Sequence, residues 1–390
     1  MRATVLGLGV TAALGLATVA ASWHGSPLRA GAPEGSDLPS TVFLGAAAVA
    51  FALYVLGLVL LRRSRAGVLT VCALATVIQL VPLAGPLLLS RDVFAYWDYG
   101  RLTAAHDANP YAVPPIRFAG DPAERAMAPA WRRTDSVYGP LFTAASAGLA
   151  SVRQSPETAS LGYRSVAAAG MLALVGLAAV AAPFPAFAAA FVGWNPLLAL
   201  DFAGGGHNDV WMMVLVLCGL ALAATRPRLA GTGWALAAGV KWIAVALLPL
   251  ELLGRTRNDA VRMLLGFVAA AATIAVSAWL LFGTAWLAAL APFAHLTAGW
   301  AVPSRLAQAG LPGWLALAPL LLALPRLVRS SRAGHPRLAA ATGLLLVASP
   351  WLLPWYAVWA VPLAAVEEDR VGWALTLALC AYLLPDRIPL

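Results

Sequence analysis

The stretch "VLTVCALATVIQLVPLAGPLLLSRDVFAYWDYGR", residues 68–101, places a long apolar run directly before charged and aromatic residues. No residue from Val68 to Leu89 is charged. A helix of about 20 apolar residues is long enough to cross a hydrocarbon core of about 30 Å. The sequence therefore predicts a membrane-crossing helix that ends in a polar segment, where Asp92 lies between Ser90 and several aromatic rings.

The composition extends this pattern to the whole chain. Of its 390 residues, 61% are hydrophobic and only 11% are charged, and the mean hydropathy is +0.79. A soluble domain has about 25% charged residues. No alternating strand pattern suggests a barrel. We therefore predict one all-α domain over 1–390, a polytopic transmembrane helical bundle of about 11–13 helices, in which the outer loop 90–137 carries a helix on the membrane surface. The candidate spans are 2–22, 41–61, 68–89, 138–152, 165–182, 186–202, 209–225, 229–253, 262–282, 311–328, 338–353, 354–366 and 371–385.

The net charge of +9 comes from arginines in short loops between apolar runs, such as Arg62, Arg63 and Arg65. This is typical of cytoplasmic loops in membrane proteins, so we expect no nucleic-acid partner. The three cysteines lie inside apolar runs and are expected to be packing residues. Residues 2–22 are expected to be an uncleaved first helix, because the apolar stretch is longer than a signal-peptide core of about 7–15 residues.

The orientation follows from the same arginines. If the 62–65 cluster is cytoplasmic, then the loop 90–137, with six arginines and six acids, lies outside. The middle of the chain allows two arrangements. If 138–152 crosses the membrane, the Gly204–Asp209 loop lies inside. If 138–152 is a half-helix that returns to the outer face, that loop lies outside and 229–253 must contain a break.

The polar segment supplies the first candidate site residue, Asp92. Ser90 can cap a helix there, and Asp92 is then in its first turn, where the helix dipole favours an ionised carboxylate. Asp92 is either a helix-start acid beside Arg91 or a catalytic base at the lipid–water boundary. Further along the helix, Asp98 and Arg101 are three residues apart and can pair.

Three further segments carry candidate residues. His207, Asn208 and Asp209 follow three glycines, and are either a helix-end loop or a contact for a sugar or phosphate. Lys241, the only lysine, lies in an apolar run, where a charge costs about 2.5–3.5 kcal/mol; it either extends to the interface or binds a lipid phosphate. Around Trp355, prolines and rings form either an aromatic belt or a wall for a sugar or lipid chain.

Together these segments resemble the glycosyltransferase-C superfamily, and most closely the actinobacterial α-(1→6) mannosyltransferases of lipomannan and lipoarabinomannan synthesis. The resemblance covers about residues 80–365 and rests on the order and spacing of several short motifs. The motifs are "DVFAYWDYGR" with "NPY" (92–111), "YGPLF" (138–142), "WNPLLAL" with "GGGHNDV" (194–210), "VKW" with "LLPL" (240–250) and "SPW" with "PWY" and the following Trp359 and Pro362 (349–362).

The resemblance implies that Asp92 is the catalytic base and that the donor is polyprenyl-phosphate-mannose, used at the outer face of a bacterial plasma membrane. The acceptor would be a glycan or glycolipid, and membrane lipid would surround the site. Because phosphate is a good leaving group, one base suffices, and we expect inversion in a single displacement. No resident cofactor or metal is expected, although a requirement for a divalent metal stays open. We assign donor-phosphate binding to Arg91, Arg101 and Lys241, and substrate binding to Tyr96, Asp98, Asn109, Tyr111, Tyr138, His207, Asn208, Asp209, Trp355 and Tyr356.

Two other functions are compatible with the sequence. One is transfer of arabinose by an enzyme of the same superfamily. The other is a transporter or flippase for a lipid-linked sugar, which would also use intramembrane charge and broken helices. The sequence has few intramembrane acids and no evident inverted repeat, and its polar residues gather in one loop, which favours the enzyme.

Overall fold

The computed structural model describes residues 2–32, 35–63, 67–287 and 296–389, so Arg65 of the first arginine cluster lies outside the described residues. Within these ranges the chain is helical, and the β-structure is limited to an isolated antiparallel bridge between Arg29 and Leu88. The predicted all-α class is therefore confirmed.

Five helical segments are long and apolar enough to cross a membrane: α1 (Arg2–Ser22), α2 (Asp37–Arg63), α7 (Pro156–Ala181), α13 (Arg257–Phe282) and the continuous segment Gly313–Arg332. A sixth candidate is a helix pair bent by 51°, α8 (Pro185–Gly193) and α9 (Pro196–Ala199) with the π-helix Leu200–Gly204. The protein is thus a polytopic helical membrane protein.

The remaining helices are shorter. They are α3 (Val68–Leu80), α4 (Asp92–His106), α5 (Pro122–Ala126), α6 (Pro140–Val152), α10 (Asp209–Leu222), α11 (Pro227–Val240), α12 (Leu248–Leu253), α14 (Val302–Gln308), α16 (Leu338–Ala348), α17 (Val361–Val366) and α18 (Arg370–Leu383). The long segment Gly313–Arg332 contains α15 (Ala318–Arg332). Short 3₁₀ segments join several of them, including Val81–Ala84, Pro129–Trp131, Trp242–Leu247 and Pro354–Trp359.

One buried apolar cluster extends from the N-terminal helices and the bent pair through α10, α11 and α16 to the segment 352–365. Helix α1 packs along α2, and Val10 and Leu14 are fully buried between them. The Trp194 indole lies against Gly7 and Gly57 and donates a hydrogen bond of 3.2 Å to the Val71 carbonyl. The two glycines allow this close approach because they carry no side chain.

The broken helices carry the polar residues to one end of the bundle. The run 229–253, expected as one span, is interrupted at Lys241, which ends α11 in an extended conformation. Helix α6 packs along α4. Just after the end of α6, the Arg153 carbonyl accepts a hydrogen bond of 2.9 Å from the Trp97 indole N–H of α4. His207 then lies beside Asp92, so the structure has the half-helix arrangement, with both loops at the same end.

The helix predicted for the membrane surface, α4, exists, but its aromatic rings are buried in protein, whereas a helix lying on the membrane would turn them towards the lipid. Tyr96, Trp97 and Tyr99 are all at most 2% exposed. They pack against α6, α7 and the loop after α5 instead of lying at headgroup level. The reason is that α5 and the loops around it cover the helix, so its aromatic face has protein on every side.

One buried arginine ties three of these segments together. The Arg164 guanidinium, on α7, donates hydrogen bonds to the carbonyls of Ala203 at 2.8 Å, Gly85 at 2.9 Å and Pro82 at 2.5 Å. Ala203 belongs to the π-helix, Pro82 belongs to the 3₁₀ segment Val81–Ala84 after α3, and Gly85 ends that segment. Arg164 therefore fixes the segment that precedes Asp92 and the segment that precedes His207 relative to each other.

The contact of α4 with α6 depends on Gly100. A Cβ at this position would lie 2.6 Å from the Ser146 carbonyl carbon and 2.9 Å from Ala150 Cβ. We therefore expect Gly100→Ala to push α4 away from α6, to lower the thermal midpoint in detergent by several degrees and to reduce activity. The control is Gly148→Ala on α6, which meets no atom within 4 Å and should be neutral or slightly stabilising, by at most about 1 kcal/mol. Equal midpoints for the two variants would contradict the close contact.

Candidate active site

Asp92 is held at the first turn of α4. Its backbone N–H donates a hydrogen bond of 3.2 Å to the Ser90 hydroxyl, although the residue at the N-cap of the helix is Arg91 and not Ser90 as predicted. Its side chain is 22% exposed and points into a cavity. Burial raises the pKa of the Asp92 carboxyl, while Arg387, Ser90 and Lys241 oppose the rise. A carboxylate with a raised pKa that stays open to a cavity is suited to accept a proton.

Lys241 is paired with a fully buried acid. Its Nζ lies 2.6 Å from Asp209 Oδ1, and the same oxygen accepts 2.6 Å from the Trp359 indole N–H. The ammonium also lies 4.4 Å from the centre of the Tyr356 ring. The pair explains how a charge is tolerated at the break of a membrane helix, because the acid and the aromatic face replace water.

His207 and two further residues form a stacked column next to Asp92. The His207 imidazole lies flat on the Trp355 indole, with ring centres 3.6 Å apart and planes at 12°. The Arg387 guanidinium covers the same indole at 5.0 Å. His207 Nδ1 is 3.6 Å from Asp92 Oδ2, longer than a hydrogen bond. The column thus fixes the wall of the cavity beside the carboxylate.

A polar cavity of about 290 Å³ lies between these groups. Its inner wall includes Asp92, Tyr96, Tyr138, Lys241 and Tyr356, and its other lining residues are Gly31, Leu89, Ser90, Arg91, Ala128, Trp131, Val137, Trp351, Leu353, Trp355 and Arg387. The volume is near the lower limit of small-molecule sites, about 300–1,000 Å³. A single sugar ring with its phosphate is the kind of group that such a volume admits.

A second, apolar groove of about 540 Å³ adjoins the cavity. The two share Val137, Lys241, Trp351 and Tyr356, so Lys241 stands at their junction. The groove is otherwise lined almost entirely by carbon-rich side chains. They come from the 3₁₀ segment after Lys241, from the segment Gly313–Arg332, from α16 and the turn after it, and from the segment Pro354–Trp359: Trp242, Ile243, Ala246, Leu317, Leu320, Leu345, Ala348, Pro350 and Trp359. It suits a hydrocarbon chain.

The loop that precedes α10 holds polar atoms that lack protein partners among the described residues. They are His207 Nδ1, both amide atoms of Asn208 and Asp209 Oδ2, and all three side chains are at most 3% exposed. Such atoms destabilise a buried loop by about 1–3 kcal/mol each unless water or a ligand binds them. These three residues therefore have polar side chains at buried positions where apolar side chains would make the fold more stable.

Several residues assigned from the sequence do not line the cavity. Arg101 is held by Asp121, with contacts of 2.8 to 3.1 Å, and therefore does not pair with Asp98. The Asn109 amide donates 2.7 Å to the Phe282 carbonyl, and the Tyr111 hydroxyl donates 2.8 Å to the Tyr138 carbonyl. These residues anchor the outer loop instead. Asp98 is 2% exposed and faces this loop, away from the cavity.

The other assigned residues are brought together. Asp92, Tyr96, Tyr138, Lys241, Trp355, Tyr356 and Arg91 line the cavity, and His207 and Asp209 contact them from behind. Arg91 Nη2 donates 2.9 Å to the Gly31 carbonyl, which leaves its other donors at the cavity edge. Sequence reasoning missed Arg387 and Trp131. A charge beside prolines near residue 387 was a weak signal, and Trp131 was one ring in a long loop.

No group of three or more histidine, cysteine or acidic side chains in the described ranges could hold a metal ion. The absence of a resident cofactor or metal stays a prediction.

These features define a class of protein: a polytopic helical membrane protein in which a carboxylate, Asp92, and a cation, Lys241, line one cavity beside an apolar groove. The family model for the alpha-(1->6)-mannopyranosyltransferase N-terminal domain matches residues 3–257, and the chain belongs to this family. The site is therefore that of a mannosyltransferase family. The match includes Asp92, His207 and Lys241, whereas Trp355 and Arg387 lie beyond it. No curated protein and no solved structure matches the chain.

The Asp98 carboxyl provides a pH-dependent test of the outer loop. Burial raises its pKa to about 7, the carboxylates of Asp121 and Glu124 add to the rise, and Arg101 opposes it. A raised pKa means that the folded state loses stability as pH rises from the ordinary value of 3.8 through about 7. Asp98→Asn removes this loss. Its thermal midpoint, relative to the natural protein, should increase between pH 5 and pH 8.5; a difference that is constant with pH would contradict the assignment.

The Lys241–Asp209 pair predicts coupled stability effects. Removing one partner of a buried pair typically costs about 3–5 kcal/mol, because the other charge is left unpaired. We expect Asp209→Asn and Lys241→Met each to lower the thermal midpoint strongly. The double variant should be clearly more stable than the sum of the two single effects implies. Thermal unfolding in detergent measures this, and additive effects would show that the two side chains do not interact.

Proposed function

We propose that the protein transfers a mannosyl residue from polyprenyl-phosphate-mannose to a glycan or glycolipid acceptor at the outer face of the bacterial plasma membrane. The observation that supports this most directly is the position of Lys241 at the junction of the polar cavity and the apolar groove. A lipid-linked sugar phosphate has the same order of parts: hydrocarbon chain, phosphate and sugar.

In this proposal the polyprenyl chain lies in the groove and the phosphate contacts Lys241. The mannosyl ring then occupies the cavity in front of Asp92. Arg387, exposed and without an ion pair among the described residues, supplies a second positive charge at the cavity. Arg387 therefore takes the place that the sequence assigned to Arg101, which binds Asp121 and does not line the cavity.

The reaction is a single displacement. The acceptor hydroxyl passes its proton to the Asp92 carboxylate while its oxygen bonds to the anomeric carbon. The bond from that carbon to the phosphate oxygen breaks, and polyprenyl phosphate leaves with the electron pair. Lys241 and Arg387 stabilise the charge that grows on the phosphate. Attack opposite to the leaving group inverts the anomeric configuration, so a β-linked donor gives an α-linked product.

The family match favours mannose over arabinose as the transferred sugar. A transporter is less consistent with the site, because transport sites of this kind lie near the middle of the membrane. Here Asp92 and His207 lie at the starts of α4 and α10, at one end of the bundle. An acid open to the cavity with a raised pKa also suits proton transfer.

The role of Asp92 is tested by Asp92→Asn, which keeps the shape of the side chain but removes its basicity. In membranes supplied with labelled polyprenyl-phosphate-mannose, we expect transfer to fall at least about 100-fold, the range of general-base contributions. The control is Asp107→Asn at the other end of α4. Asp107 is exposed and has φ 48°, which asparagine tolerates well, so this variant should stay active. Unchanged transfer by Asp92→Asn would exclude Asp92 as the base.

A further inference from the structure

The polar cavity has a second wall, which does not adjoin the apolar groove. It includes Gly31, Arg91, Ala128 and Trp131, which line the cavity but not the groove; Leu89, Asp92 and Arg387 also line only the cavity. The first four are half-buried or exposed, whereas Tyr96, Trp355 and Tyr356 on the inner side are buried. The cavity therefore opens between the segment around Gly31 and the segment 128–131.

The chemistry of the proposed reaction gives this wall a role. Inversion requires the acceptor oxygen to approach the anomeric carbon from the side opposite to the phosphate. If the phosphate contacts Lys241, the acceptor must enter from the wall that is not shared with the groove. That wall is the one that carries Arg91 and Trp131.

Trp131 is held firmly although its ring is partly exposed. It ends the 3₁₀ segment Pro129–Trp131, and its carbonyl accepts 3.0 Å from the Thr134 N–H. The Thr134 carbonyl in turn accepts 2.8 Å from the Tyr99 hydroxyl of α4. The ring packs beside the buried Met127 and, among the described residues, stacks on no other aromatic ring. Its position is thus fixed by α4 while part of its surface faces the cavity.

We propose that Trp131 and Arg91 form the acceptor subsite, which binds the terminal pyranose of a neutral glycan chain. Arg91, which the sequence assigned to the donor phosphate, then serves the acceptor instead, because it lines the cavity but not the groove. The electron-rich face of the indole attracts the C–H groups on the apolar face of the sugar. Arg91 donates one hydrogen bond to Gly31, and a guanidinium has five N–H groups, so others are left for sugar hydroxyls. This proposal rests on the proposed function, which supplies the direction of attack.

The test uses Trp131→Ala in the full chain, with polyprenyl-phosphate-mannose as donor and short α-(1→6)-linked mannosides as acceptors. We expect the KM for the acceptor to rise about tenfold, which corresponds to about 1.4 kcal/mol. The KM for the donor, and the slow release of mannose to water without acceptor, should stay within about twofold. Trp131→Phe keeps an aromatic face and should restore most of the acceptor affinity.

The matched control is Trp23→Ala, which removes another half-buried loop tryptophan that lines neither the polar cavity nor the apolar groove. It should leave both KM values unchanged. An unaltered acceptor KM in Trp131→Ala would overturn the subsite. So would an equal loss of donor affinity, since that would assign Trp131 to the donor or to folding. The proposed function fails separately, if the natural protein transfers no mannose from this donor.

Discussion

The ion pair between Lys241 and Asp209 is the interaction on which the site depends. A lysine inside a membrane protein needs an anionic partner, and Asp209 provides one at 2.6 Å from a position with no exposure to solvent. The pair joins the break after α11 to the start of α10, and the Trp359 indole joins the segment 354–359 to the same carboxylate. Three separate parts of the chain therefore meet at one oxygen atom. His207, two residues earlier, is positioned by the same loop against Asp92.

This arrangement separates the environments that the proposed reaction needs. On one side of Lys241 is an apolar groove, and on the other is a polar cavity with a carboxylate. The membrane would deliver the donor along two dimensions to the groove, while the acceptor would arrive from water. Asp98 and Arg101 lie on α4, and Arg101 binds Asp121 of the segment that covers this helix. The segment 107–137 thus holds α4 in place and also contributes Ala128, Trp131 and Val137 to the wall of the cavity.

Much of this could be read from the sequence, because the signals were local. The hydropathy of the chain predicts a helical membrane protein. Ser90 and Asp92 indicate where α4 starts, and Lys241, the only lysine, marks a candidate site within an apolar run. The roles of Arg101 and Asn109 could not be read in the same way. Arg101 binds the carboxylate of Asp121, which lies 20 residues further along the chain. No local sequence pattern reveals a contact over this separation. Arg387 lines the cavity because the last helices pack beside it. Trp131 lines the cavity because its segment covers α4. The buried rings of α4 show the same limit, since an aromatic face suits lipid and protein equally well.

The most direct test is an experimental structure of the protein with bound polyprenyl phosphate. We predict that a phosphate oxygen lies within hydrogen-bonding distance of Lys241 Nζ, about 2.7–2.9 Å, with the lipid chain between Trp242 and Leu345. Asp92 would then lie across the polar cavity from this phosphate. A lipid phosphate bound elsewhere, for example at the groove between Arg305 and Leu379, with the Lys241 region unoccupied, would contradict the assignment.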